Sequence, residues 1–277
     1  MKMTNIKYTL ILLFSLVLSA CKKQESALPV PYDLIVEGGI NTFIPQQYIR
    51  LTKPVLLSGG APQPINGAVL SVNDGESDIP FKELGKTGIY TASMKNNKNY
   101  DGVYTLKIIY NKKEYTANDT LQQVFPISER YIPLSIKVNQ NKAEITIPKH
   151  TFGVLSAQQW LIMNGKRLWT PGKFGESYPY SYSHPFGSPN ALNPLTEQNT
   201  IITTDLKDSL SIYKFSLSPA HATFLYNVFQ ETDWRGILST VPGQVKGNIS
   251  GNANGFFYAM DVEMQRIAVK DLSPQKK

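Results

Sequence analysis

Cysteine and histidine are scarce in this sequence. Its 277 residues include one cysteine, Cys21, and three histidines. A single cysteine cannot form an intramolecular disulfide, so an exported form of the chain must be stable through its hydrophobic core alone. Zinc sites need several Cys or His ligands at short spacing, and no HExxH, HxH or paired Cys/His motif is present. The sequence therefore argues against a disulfide scaffold and against a zinc site.

Catalytic motifs are lacking as well. There is no GxSxG turn of the serine hydrolases, and no Gly-Lys-Ser/Thr sequence of a phosphate-binding loop. His184 has no neighbouring nucleophile in the sequence, and His221 falls in the first turn of a predicted helix, where a surface or packing role is expected. We predict a non-enzymatic protein that has no metal site and no cofactor.

No apolar run is long enough to cross a membrane. The longest one, Tyr8–Leu18, has 11 residues, whereas a bilayer needs about 20. It follows Lys2 and Lys7, as the hydrophobic core of a secretory signal does. Leu18-Ser19-Ala20-Cys21 then resembles a bacterial lipobox, which predicts cleavage of a signal peptide over 1–20 and fatty acylation of Cys21 with diacylglycerol and palmitate-type chains. The alternative is an ordinary signal peptide followed by a chance cysteine or free thiol.

Positive charge is in mild excess and is spread along the chain. The net charge of +7 includes no basic block beyond Lys22-Lys23 and Lys276-Lys277, so nucleic acid is a poor candidate partner. Residues 21–32 contain two prolines and show no helix or strand period, which predicts a lipidated tether. The tether begins KKQE and lacks an acidic run, so the periplasmic and the extracellular face of the membrane both stay open.

The body of the chain reads as β-structure. In GVYTLKIIY, residues 102–110, apolar side chains recur with the period of a strand, and NKKEYTAND follows as a hairpin partner that turns at residues 111–113. Short strands with few intervening helices are typical of an antiparallel sandwich. We predict a mainly β fold, in which residues 33–125 form an Ig-like or transthyretin-like sandwich domain.

Residues 126–277 are predicted to form a second β-rich domain with one amphipathic helix. Asn164-Gly165 is a strong hairpin turn signal. A helix is predicted near 219–234, because Ser218 is a suitable N-cap, Pro219 suits the first position and Gly236 can end it. Residues 255–269 are expected to end the body as a last strand or strand pair.

The segment 174–190, FGESYPYSYSHPFGSPN, concentrates aromatic residues among Pro, Gly and Ser. This composition predicts a long loop whose rings could stack on a sugar or a peptide. The alternative is that the loop folds over its own domain and buries the rings. The candidate ligand-binding residues are Trp169, Phe174, Tyr178, Tyr180, Tyr182 and Phe186.

Two short motifs predict covalent modification. Asp119-Thr120-Leu121 and Asp208-Ser209-Leu210 both resemble the Asp-Ser/Thr-apolar acceptor of a bacterial O-glycosylation system. Thr120 and Ser209 are thus candidate glycosylation sites. Each motif could instead simply begin a strand after a turn.

The order of motifs resembles a known family. YDLIVEGGI after the lipobox, YIRLTKP, PINGAVLSVND and GVYTLKI, with VKGNISGNANGFFYA near the far end, resemble the Bacteroidota lipoproteins grouped as domain of unknown function 4249. The resemblance implies an outer-membrane lipoprotein of a kind often encoded beside TonB-dependent outer-membrane transporters. It implies no activity and no catalytic residue.

These observations lead to one main expectation and two rivals. The main one is a non-enzymatic, lipid-anchored accessory that docks on a TonB-dependent transporter or presents a ligand to it. The first rival is an independent surface lipoprotein that binds glycan or peptide through the 174–190 segment. The second is a purely structural component of the envelope.

Overall fold

A computed structural model describes residues 32–55, 61–95, 98–128, 131–152, 156–165, 167–184, 198–233 and 245–272. Over these ranges the fold is mainly β, as predicted, with one long helix and one short one. None of the helices in this part of the chain is long and apolar enough to span a bilayer. The elements are β1 (Leu34–Asn41), β2 (Gln46–Thr52), β3 (Val69–Asn73), β4 (Asp78–Glu83), β5 (Ile89–Ser93), β6 (Val103–Tyr110), β7 (Lys113–Thr120), β8 (Ser135–Asn139), β9 (Lys142–Pro148), β10 (His150–Phe152), β11 (Gln158–Asn164), β12 (Tyr180–His184), β13 (Asn199–Asp205), β14 (Ser209–Ser216), α1 (Pro219–Thr232), β15 (Ala253–Met260), β16 (Val262–Ala268) and α2 (Val269–Leu272).

The first sheet has eight strands in the order β15-β1-β2-β5-β4-β3-β6-β7. Strand β6 shows why these residues form a sheet: Tyr104, Leu106 and Ile108 are fully buried, while the residues between them face outward. The predicted hairpin of β6 and β7 turns at Asn111 and Lys112, which both have positive φ angles. That geometry is the one a two-residue hairpin turn requires.

Strand β15 comes from the far end of the chain and lies at the edge of this first sheet. It pairs in parallel with β1, from Leu34 opposite Ala253 to Asn41 opposite Met260. The sequence prediction assigned these residues to the second domain, within 126–277, and expected the sandwich of residues 33–125 to be antiparallel. In the structure β15 joins the first sheet through this one parallel pairing, which the sequence did not reveal, because local periodicity does not encode which distant strand a segment will pair with.

The two edges of the first sheet also meet, at β15 and β7. The Asp119 carboxylate accepts a 2.8 Å hydrogen bond from the backbone N–H of Ala259. The side-chain amide of Asn248 donates to the carbonyl groups of Asn118 and Phe257, at 2.9 and 2.8 Å. These side chains thus form hydrogen bonds with backbone N–H and C=O groups that a free sheet edge would leave unpaired.

The second half of the chain forms a five-stranded sheet, β10-β12-β11-β14-β16, and a three-stranded sheet, β13-β9-β8. Isoleucines of β9, β11 and β14 pack together between the two sheets, among them Ile145, Ile162 and Ile212. The opposite face of β11 and β14 is also buried, by residues that include Trp169 and Met260. Because both faces are covered, β11 and β14 are nearly continuous buried runs.

Helix α1 begins as predicted, with the Ser218 hydroxyl accepting from the backbone N–H of His221 at 3.0 Å. It packs against β15, where the ring of Phe224 stacks on Phe256 at 4.8 Å. The helix ends at Thr232, and its C-cap residue Asp233 donates its backbone N–H to the carbonyl of Phe229 at 2.8 Å. The predicted C-terminal residue Gly236 lies outside the described residues.

Candidate functional site

The candidate aromatic residues do not all lie at the surface. Trp169 is 6% exposed and packs edge-on against Phe215 at 4.9 Å. Its indole N–H donates to the Tyr180 hydroxyl at 3.1 Å, and its backbone N–H donates to the Tyr213 hydroxyl at 3.3 Å. Trp169 is therefore a core residue that positions its neighbours.

Residues 180–184 are a strand rather than part of a long loop. The loop prediction is wrong here because Tyr180, Tyr182 and His184 alternate with two serines, which is the period of a strand. Strand β12 pairs with β11 and β10, and the Ser181 hydroxyl donates to the carbonyl of Pro148. The alternative of a segment folded over its own domain thus describes these residues.

The other candidate rings are half-buried. Phe174 is covered by the Arg50 guanidinium group, which lies 5.0 Å from the ring centroid. Tyr178, Tyr180 and Tyr182 follow one another at centroid distances of 5.9 and 6.4 Å. Phe186, the sixth candidate, lies outside the described residues.

An open groove of about 450 Å³ runs along the three tyrosines, and we call it the tyrosine groove. Its far wall is helix α1, where Phe229 meets Tyr182 at a centroid distance of 4.4 Å. Polar groups of Lys149, Gln198, Asn199 and Thr200 share the lining. Ring faces beside amide, hydroxyl and ammonium groups match what a sugar or a peptide offers.

A smaller cavity of about 200 Å³ also borders Tyr178 and Tyr180. We call it the aromatic cavity, because several aromatic rings line it, beside the polar side chains of Glu37, Gln159, Lys173 and Glu176. It lies among the Trp169 segment, strand β15 and helix α1. Its principal residues are Trp169, Phe174, Tyr180, Phe215, His221 and Tyr258. Sequence reasoning missed His221 and Tyr258, since nothing local indicates that β15 reaches this place.

Two histidines and an aspartate form a hydrogen-bonded chain behind the tyrosine groove. The Nε2 atom of His150 lies 2.9 Å from a carboxylate oxygen of Asp233, and its Nδ1 lies 3.1 Å from Nε2 of His184. Lys149 forms an ion pair of 2.7 Å with the same Asp233 oxygen. The pairing of β10 with β12 brings the two imidazoles together, and sequence reasoning had found no partner for His184.

The electrostatics of this chain favour neutral imidazoles. Burial lowers the pKa of His150, against the opposing effect of its hydrogen bond to the Asp233 carboxylate. Burial, with the neighbouring His150, lowers the pKa of His184 to about 4. Burial alone would raise the pKa of Asp233, but the hydrogen bonds from Lys149 and His150 hold it below its ordinary value. The arrangement ties β10, β12 and the end of α1 together.

Metal and modification sites have a simple status. No group of three or more Cys, His, Asp or Glu residues among those described is arranged to hold a metal ion. Of the two candidate glycosylation sites, Thr120 lies half-buried at the end of β7 and Ser209 half-buried at the start of β14. Their modification stays a prediction. Cys21 lies outside the described residues.

Comparison with known proteins identifies no family for this chain. No family model matches the chain, and no curated protein does. Among solved structures, the FN1-FN3 domains of chicken CNTN1 are similar over 67% of this chain and 60% of that one, at 13% identity and a TM-score of 0.22. A DUF4785 family protein from Legionella pneumophila is similar over 68% of this chain and 53% of that one, at 9% identity and a TM-score of 0.21. The chain thus spans less than two thirds of either structure.

Proposed function

We propose that this protein is a non-enzymatic lipoprotein of the outer membrane that holds a ligand for a TonB-dependent transporter. The lipobox at Cys21 supports the anchor, and the resemblance to the lipoproteins of domain of unknown function 4249 supports the transporter as partner. The tyrosine groove is the observation that carries ligand binding. It places half-buried rings and polar groups side by side on a rigid sheet and helix.

The anchor and the partner are tested together. Native protein is solubilised from membranes and purified through a C-terminal tag, and co-purifying proteins are identified by mass spectrometry. We expect a TonB-dependent transporter in the eluate and fatty acyl chains on Cys21 in the intact mass. The Cys21→Ala variant should leave the membrane fraction, because acyl chains contribute about 0.8 kcal/mol of binding per buried methylene. An eluate that never contains a transporter contradicts the partner proposal, and a Cys21→Ala variant that stays in the membrane fraction and still labels with palmitate contradicts the anchor.

The groove also favours the rival function, an independent surface binder of glycan or peptide. We expect Val228→Arg to weaken ligand retention at least tenfold, because Val228 lines the groove from α1 and a long side chain there obstructs it. Retention is measured by affinity electrophoresis in gels that contain a soluble polysaccharide or an immobilised peptide mixture. Arg is a good helix former, so the fold should persist.

The matched control is Thr223→Arg, an exposed position on the same helix. This variant adds the same charge but should retain ligand like the unmodified protein. Loss of ligand by Val228→Arg with the transporter complex intact favours the independent binder. Loss of both supports ligand presentation, and equal retention by both variants contradicts a role for the groove.

A further inference from the structure

The described part of the chain contains three Asn-Gly pairs, and their surroundings differ. The pairs are Asn66-Gly67, Asn164-Gly165 and Asn254-Gly255. An asparagine that precedes a glycine can deamidate, because glycine has no Cβ atom to obstruct the attack of its backbone nitrogen on the asparagine side chain. The sequence gives no reason to prefer one pair over another, whereas the structure does.

The first pair lies in an exposed turn that is anchored at both ends. Asn66 and Gly67 are exposed, and Gly67 has a φ angle of +72°. The hydroxyl of Tyr90, a buried residue, donates to the carbonyl of Ile65 and accepts from the backbone N–H of Ala68, at 3.0 Å in both cases. The backbone of the turn is therefore fixed, although its two central residues are in contact with water.

A carboxylate contacts the nitrogen that deamidation uses as its nucleophile. The backbone N–H of Gly67 donates to Oε2 of Glu83 at 2.9 Å. A backbone amide attacks only after it has lost its proton, and a base at hydrogen-bond distance can accept that proton. Glu83 is also the cross-strand partner of Tyr90 in the pairing of β4 with β5. The same strand pair thus anchors the turn and positions the base.

The first pair also has the space that the reaction needs. A Cβ atom added at Gly67 would have no atom within 4 Å, so the nitrogen is open to approach. Asn66 is exposed, and its side chain can rotate between staggered rotamers to bring Cγ to that nitrogen. Water can reach the turn to complete the reaction.

The other two pairs have neither the base nor the space. The backbone N–H of Gly165 donates to the carbonyl of Ser209 at 2.8 Å, and a carbonyl oxygen is a far weaker base than a carboxylate. A Cβ atom at Gly165 would lie 2.6 Å from that same oxygen. The nitrogen of this pair is therefore both crowded and without a base.

In the third pair the asparagine side chain is fixed by hydrogen bonds. The Nδ2 atom of Asn254 donates to the carbonyl of Val245 at 3.1 Å, and its Oδ1 accepts from the backbone N–H groups of Gly247 and Gly255 at 3.0 and 2.8 Å. The pair also lies in β15, which is paired with β1. Ring closure there would break these contacts.

We propose that Asn66 is a site of spontaneous deamidation in the folded protein, with Glu83 as the general base. Glu83 takes the amide proton of Gly67, and the Gly67 nitrogen forms a bond to Cγ of Asn66. The bond from Cγ to Nδ2 breaks, and Nδ2 leaves as ammonia with the proton that Glu83 returns to it. Water then opens the cyclic imide at either carbonyl carbon, which leaves aspartate or isoaspartate at position 66. The modification adds a negative charge beside Glu83 and is independent of the function proposed for the tyrosine groove.

The unmodified protein provides the first test, because it contains all three pairs. Purified protein is incubated at pH 7, and the deamidated fraction at each asparagine is followed by peptide mapping with mass spectrometry. We expect Asn66 to convert at least tenfold faster than Asn164 and Asn254 in the folded protein, since general base catalysis contributes about 100-fold or more. In concentrated urea the Asn66 rate should fall and the three rates should become similar, because the surroundings that distinguish the pairs are lost.

A variant tests the base itself. Glu83→Gln retains an oxygen that can accept from the Gly67 N–H but cannot take its proton. We expect the Asn66 rate to fall at least tenfold in this variant. Glu114→Gln is the matched control, because it makes the same change of charge at an exposed position in β7. It should leave the Asn66 rate unchanged.

Three results would overturn the proposal. They are equal rates at the three asparagines in the folded protein, an unchanged Asn66 rate in Glu83→Gln, and an Asn66 rate that rises in urea. The last would mean that the turn protects the amide instead of activating it. Far-ultraviolet circular dichroism at pH 7 confirms that each variant is folded before its rate is compared. None of these results depends on a ligand, a transporter or the anchor.

Discussion

The Gly255→Ala variant is expected to lose about 2–6 kcal/mol of its free energy of unfolding. Gly255 has a φ angle of +102°, which L-residues with a side chain rarely adopt. A Cβ atom added there would lie 1.9 Å from the carbonyl oxygen of Val36 and 2.8 Å from its nitrogen. Backbone strain costs about 1–3 kcal/mol, and overpacking adds about 1–3 kcal/mol. The clash falls within the parallel pairing of β1 and β15, so neither backbone can shift alone.

Chemical denaturation at pH 7 measures this effect. Gly175→Ala is the matched control, because a Cβ atom at that position has no atom within 4 Å. We expect its free energy of unfolding to stay within about 0.5 kcal/mol of that of the unmodified protein, as for most surface substitutions. Equal stability of the two variants would contradict the parallel strand pair.

Stability is expected to fall by about 4 kcal/mol between pH 7 and pH 5. Burial and the neighbouring His150 lower the pKa of His184 to about 4, and burial lowers that of His221 to about 3, from an ordinary 6.5. The unfolded chain therefore binds protons below pH 6.5 that the folded chain does not bind until pH 3–4. Each imidazole then costs about 1.4 kcal/mol of folding free energy per pH unit in this window.

The acid effect of one imidazole can be separated from that of the other. His221→Phe keeps the ring stack and removes one titrating group, so about 2 kcal/mol of the loss between pH 7 and pH 5 should disappear. Urea denaturation at both pH values gives the two free energies. At pH 7 the variant should be at least as stable as the unmodified protein, because phenylalanine lacks the buried Nδ1 atom that has no hydrogen-bond partner among the described residues. An unchanged pH dependence would mean that His221 is charged or solvated in the folded state.

Local signals in the sequence predicted the elements that depend on neighbouring residues. The alternating residues of β6 specify a strand, Asn111 and Lys112 supply its turn, and Ser218 with Pro219 begins α1. Each of these features involves residues a few positions apart. The mainly β class follows from many such segments, which explains why it could be predicted.

Features that depend on distant pairing could not be predicted in this way. The sequence of β15 does not reveal that it pairs with β1, and this pairing brings Tyr258 to the aromatic cavity. Trp169 was predicted to be a ligand-binding residue because it lies just before the aromatic-rich segment 174–190. In the structure it is buried against one face of β14. Tyr180, Tyr182 and His184 do alternate with two serines, which is the pattern of a strand. Strand β12 could therefore have been predicted from the sequence.

The pairing of β1 with β15 has a consequence for how the chain acquires its fold. Leu34 and Ala253 become neighbours, so β1 cannot complete its pairing until β15 has been synthesised. Contacts of such high sequence separation slow folding, since a long loop must close before they form. Until then β1 presents an unpaired edge on which other chains can assemble. Ribosome-bound or truncated chains that end before residue 253 should thus depend on chaperones, however well their own hairpins form.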